Sequence, residues 1–119
     1  MIQIKIKPLS VNKAWNGRKI KTQECKQYER ALYYLLPKKP MIKGDVTIHY
    51  KFFLKYDKIT DTSNLIKLLE DIVVKKGYIE DDRFVRKFSA EKIHWEKDII
   101  EIEIIPYKYA KNPIRPQEV

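Results

Sequence analysis

Cysteine is almost missing from this chain. Cys25 stands alone, so no disulfide can close within it and a thiolate zinc site lacks ligands. His49 and His94 are likewise too few for a histidine-rich metal centre, and both fall in alternating segments that place them on strands. Long apolar runs are absent: none approaches the ~18 residues needed to span a bilayer, and the opening MIQIKIKPLS alternates instead of building a signal-peptide core. A soluble, cytoplasmic protein is the expectation. There is no internal repeat, and 119 residues suffice for one hydrophobic core but not for two ordinary domains.

What is abundant is positive charge. Twenty-five Lys+Arg against 16 Asp+Glu leave a formal charge of +9, which favours an anionic partner, nucleic acid first and an acidic membrane surface second. Against that background, acids gather in two short stretches, Asp61-Thr62-Ser63-Asn64-Leu65-Ile66-Lys67 and Gly77-Tyr78-Ile79-Glu80-Asp81-Asp82. Basic residues attract a polyanion, whereas a pocket of hard oxygen ligands holds magnesium against its phosphate.

Patterning places these stretches. Ile2, Ile4 and Ile6 alternate with polar residues as a half-buried strand that Pro8 closes. Residues 8–21 read as a basic loop whose sharpest turn signal is Asn16-Gly17, and Thr22 can cap the helix that follows. Helical spacing of Tyr28, Ala31, Leu32, Leu35 and Leu36 predicts a helix from Gln23 to about Leu36, ended by Pro37 and Pro40.

A long strand follows, with Val46, Ile48, Tyr50, Phe52 and Leu54 on one face and Thr47, His49, Lys51 and Phe53 on the other. The second helix is expected from about Thr62 to Lys76, stopped by Gly77. It has Leu65, Leu69, Ile72 and Val73 on its core side and Asn64, Lys67 and Asp71 on the opposite, polar side. Phe84–Trp95 and Asp98–Pro106 read as two further strands. The order β-α-β-α-β-β predicts an α+β fold, a mixed sheet of about four strands with two helices. A single domain over 1–106 and an extended or mobile tail over 107–119 complete the division, the tail offering Lys108, Lys111 and Arg115 as further cations.

Asp61 and Asp82 bracket the second helix and are expected to meet in one pocket per protomer if residues 77–83 fold back across the sheet. Two carboxylates, a scissile phosphate and water suffice for one magnesium ion, although acids at helix ends are commonly just solvated. Lys67 projects from the face that carries Asn64 and can either neutralise a phosphate or pair with Asp71 four residues on. Lys13, Trp15, Arg18, Lys19 and Lys21 form a basic cluster with an interleaved aromatic, suited to phosphate contact and stacking, and Lys75, Lys76, Arg83, Arg86 and Lys87 extend it around the acids.

In this order the residues resemble the RusA-type Holliday-junction resolvases, over roughly residues 2–105. That family runs Asp-x-Asp-Asn-Leu-x-Lys, an acid-containing helix, then Gly-aromatic-x-x-Asp-Asp, and the two stretches above match it without a gap. Pro8-Leu9-Ser10-Val11-Asn12 is similar to the loop after the family's first strand, and Thr22-x-Glu24-x-x-x-Tyr28 to its first-helix entry. Lys92 falls where members tend to carry a base.

The resemblance implies a homodimeric, magnesium-dependent endonuclease that cuts four-way DNA junctions by paired symmetric nicks, with Mn2+ as a substitute ion. It makes Asp61 and Asp82 metal ligands, Asp81 a supporting acid, Lys67 the catalytic lysine, and Asn64 a positioner of the helix start or of a metal-bound water. Ser63 departs from the pattern, standing where the family has its second motif aspartate. It is an engineered substitution, a natural variation offset by Asp81 or water, or the mark of a protein that binds junctions without cutting them. A module whose charge only aids solubility is the remaining alternative.

Overall fold

The structure is a computed structural model that describes residues 1–10, 14–16, 20–58, 61–109, 111 and 115–117. Its elements are β1 (Ile2–Ile4), β2 (Trp15–Asn16), β3 (Ile20–Lys21), α1 (Gln23–Leu35), β4 (Val46–Leu54), α2 (Ser63–Lys75), a 3₁₀ turn (Asp82–Phe84), β5 (Val85–His94) and β6 (Ile99–Pro106). The four long strands form one mixed sheet in the order β1-β6-β4-β5. With the two-residue β2–β3 pair set aside, the α+β order is the one expected.

Alternation along β4 builds the sheet's two faces. Val46, Ile48, Tyr50, Phe52 and Leu54 are buried, and they join Ile2 and Ile4 of β1, Ile100 and Ile102 of β6 and the inner residues of both helices in one hydrophobic cluster. Lys51 on the opposite face is exposed and Glu101 beside it is half-buried, with Gln3 donating to the Glu101 carboxylate at 2.9 Å. The fold is thus helices on one side of a sheet whose other side is open. Thr47 is the exception on the polar face, buried among its neighbours.

Thr22 caps α1 by accepting from the Cys25 amide at 3.1 Å, and Cys25, Tyr28 and Leu32 form the helix's buried stripe. Leu35, expected on that stripe, is about half exposed: the stripe continues through Leu36, and Leu35 lies one position to the side. α2 ends as Gly77 requires. The Tyr78 amide reaches the Val73 carbonyl at 3.1 Å and the Gly77 amide reaches Val74 at 3.0 Å, while Gly77 adopts φ +82°. The first strand is shorter than its alternation suggests, because Ile6 turns back on the Ile4 carbonyl at 3.1 Å.

β5 and β6 are consecutive but not paired. β5 runs parallel to β4 and β6 antiparallel to it, so the two flank β4, and α2 serves as the crossover between the parallel strands. At the start of the C-terminal segment the Tyr107 amide donates to the Asp45 carbonyl at 2.9 Å, and the Arg86 guanidinium lies over the rings of Tyr107 and Tyr109.

Candidate active site

The crossover decides where the acids go. Val85 pairs with Val46 at the start of β4, and His94 pairs with Leu54 at its end. Asp61, just after β4, therefore lies at the sheet end where α2 begins, whereas Asp82, just before β5, lies at the end where α2 stops. Eight helical steps separate Ser63, at the start of α2, from Asp71, on the order of 12 Å. Residues 77–83 do not fold back across the sheet. The expectation that Asp61 and Asp82 share one pocket within a protomer is corrected, because a parallel crossover puts the two ends of its helix at opposite ends of the strands.

What does converge is a cluster at the C-terminal end of α2. Asp71, Val74 and Lys75 from the helix, Asp81 and Asp82 from the following turn, and Lys21 from β3 line one concavity of about 250 Å³. Asp81 caps the 3₁₀ turn, its carboxylate accepting from the Asp82 amide at 2.7 Å and pairing with Arg83 at 3.6 Å. The hydrogen bond with Asp81 raises the Asp82 carboxyl above its ordinary value, reinforced by the negative charges of Asp81 and Asp71. Glu70 is raised as well, first by burial and then by Asp82 and Asp71.

Two lysines face these acids, and a residue outside the predicted set holds them. Lys21 Nζ lies 2.7 Å and Lys75 Nζ 3.8 Å from the Glu29 carboxylate, which also accepts from the Cys25 thiol at 3.3 Å. The Glu29 bond holds the Lys21 ammonium above its usual range. Burial alone pushes Glu29 upward, but Lys21, Cys25 and Lys75 outweigh it and leave the carboxyl below its usual value. Burial drives the Cys25 thiol up to about 11, so it is an inert partner and not a nucleophile.

The remaining predicted residues distribute as follows. Lys67 is exposed on α2, one turn from Asp71 on the same face, with Asn64 a turn before it. Ser63 is the exposed first residue of α2, whose first turn carries no acid and whose N-cap Thr62 makes no side-chain capping hydrogen bond. Lys76 donates to the Tyr33 carbonyl at 2.7 Å and sits 4.3 Å above its ring. Lys87 is exposed on the open sheet face, and Lys92 donates to the Asp57 carbonyl at 2.7 Å, at the Asp61 end of the sheet. Trp15 pairs through its backbone with Lys21. Lys13, Arg18 and Lys19 lie outside the described residues.

Glu29 is the site residue that patterning passed over, and Asp71 was placed on the polar face of α2 without a site role. The i, i+4, i+8 spacing of Lys67, Asp71 and Lys75 is the signal that aligns Asp71 with two lysines, while nothing local marks Glu29, whose partners come from β3 and α2. The donor set suits a hard cation in a limited way. Among the described residues no three of His, Cys, Asp and Glu converge tightly enough to form a cage. The Asp81–Asp82 pair, whose mutual repulsion a cation relieves, nevertheless meets the one-or-two-carboxylate pattern of magnesium sites completed by phosphate and water.

No curated protein matches the chain. A sequence profile for endodeoxyribonuclease RusA matches residues 6–105. Because that match runs through both helices, the 3₁₀ turn and the strands that together carry the acidic concavity, the chain belongs to the RusA family of endodeoxyribonucleases, the Holliday-junction resolvases.

Proposed function

We propose that the protein is a divalent-metal-dependent endonuclease that resolves four-way DNA junctions by paired symmetric nicks, with its cutting centre at the C-terminal end of α2. The observation that carries this reading is the Asp71–Asp81–Asp82 cluster facing Lys21 and Lys75 in a chain of net charge +9 from a nuclease family. Asp81 and Asp82 would hold Mg2+, or Mn2+ in its place. The ion when bound supplies Lewis acidity and an activated water at neutral pH. Lys21 and Lys75, set by Glu29, neutralise nonbridging phosphate oxygens, and the cations around the acidic cluster, Lys76, Arg83 and Arg86 among them, bind the strands.

Lys67 and Asp61 keep the roles that the family pattern implies, with one geometric condition. For Asp61 to act on the same ion as Asp82, the two must come from different protomers, since α2 holds them apart in one chain. A two-fold dimer also provides the two symmetry-related centres that paired nicks require.

A second reading, a homologue that binds junctions without cutting, draws on Ser63 and on the acid-free first turn of α2. Cleavage of a synthetic four-way junction in magnesium and in manganese separates the two readings. Weak cutting in magnesium, strengthened by Ser63→Asp through the ligand charge it adds beside Asp61 and under the same geometric condition as Asp61, is expected. Unchanged cutting after Ser63→Asp refutes the missing-ligand argument, and binding with no cutting under any of these conditions favours the second reading.

A further inference from the structure

Beside the acidic concavity, a groove of about 370 Å³ runs between α1 and α2, lined by Glu29, Arg30, Tyr33, Tyr34, Ile72 and Lys75. Tyr34 is 88% and Tyr33 49% exposed, an unusual cost for two adjacent aromatics on a helix whose inner side is well packed. Lys76 covers one face of Tyr33, which leaves Tyr34 as the open ring. Glu29, the only acid among the described residues that line the groove, is already paired with Lys21 and Lys75, so the charge offered to a visitor is that of Arg30 and Lys75.

We infer that this groove seats an unstacked DNA base, its ring against Tyr34 and its phosphate on Arg30 and Lys75. The inference rests on the DNA reading above and deepens it by naming where a strand leaves the cutting centre. Lys75 lines both hollows, so a backbone whose phosphate sits at the acids passes directly into the groove. An aromatic flanked by cations is the pairing that binds single-stranded nucleic acid without reading its sequence. A second copy of this chain is the poorer occupant, because a two-fold contact here would bring together two copies of a patch that carries Arg30, Lys75 and Lys76. The open centre of a four-way junction interrupts the continuous stack that duplex DNA keeps, so a base there is the one most easily drawn out.

The test uses the full chain and a junction carrying 2-aminopurine at the crossover. Tyr34→Ala removes an exposed ring and should leave the fold intact. Its affinity for the junction should fall about tenfold with the salt slope unchanged, and quenching of the probe should be lost. Arg30→Ala should instead reduce the salt slope by about one and keep the quenching. Wild-type quenching and affinity in Tyr34→Ala would overturn the inference while leaving the nuclease reading intact. Conversion of a dimer to a monomer by Tyr34→Ala, read by sedimentation, would also overturn it, because the ring would then be an interface between copies. A wild-type protein that binds no DNA would overturn the inference and the reading beneath it together.

Discussion

Asp82 owes its raised carboxyl to Asp81 before any other group, through a shared hydrogen bond and then through charge. Removing that neighbour's charge with Asp81→Asn should bring the Asp82 titration down toward an ordinary aspartate, a shift that carboxyl carbon NMR reads directly. A metal and a proton compete for the same negative charge. A raised carboxyl keeps its proton to higher pH, so divalent binding should weaken on acidification earlier in the wild-type protein than at an isolated aspartate. Magnesium should in turn depress the Asp82 titration, and a titration indifferent to saturating magnesium would remove Asp82 from the ligand set. Glu29 works in the opposite sense: its depressed carboxyl contributes stability above the unfolded-state value that is lost as pH falls through the folded one.

The helix α2 shows how much was legible and why the rest was not. Its core side, its polar side and its stop at Gly77 follow from 3.6-residue spacing and from glycine's tolerance of positive φ, and each stands where the pattern predicts. Strand β4 was equally readable, since period two assigns its faces directly. Periodicity names faces but not partners. It left unstated that β5 pairs with β4 and not with β6, and that choice sends Asp82 to the far end of the helix from Asp61. The Glu29–Lys21 pair joins α1 to a two-residue strand and was invisible for the same reason. Gly77→Ala tests the helix stop. Beyond the flanking residues no atom of the described residues lies within 4 Å of the missing Cβ, so the cost is conformational, about 1 kcal/mol in a denaturant titration, and the same substitution should loosen the 3₁₀ turn that presents Asp81 and Asp82.

At the scale of the molecule, the separation of the two acidic ends makes a dimer part of the chemistry if both acids serve one ion. Asp61→Asn and Asp82→Asn proteins, each inactive alone, should on mixing regain one intact centre per heterodimer and nick one strand per junction. No recovery would assign the two residues to separate tasks. Division of labour between surface and centre is the central claim: the acidic cluster cuts, and the surrounding cations hold the DNA. Its most direct measurement is single-turnover cleavage of a synthetic four-way junction in manganese alongside a gel-shift titration, for the wild type and for Asp82→Asn. The expected result is that cutting falls by about two orders of magnitude or more while the dissociation constant stays within about threefold. Equal cutting by both proteins, or loss of binding together with cutting, would contradict it.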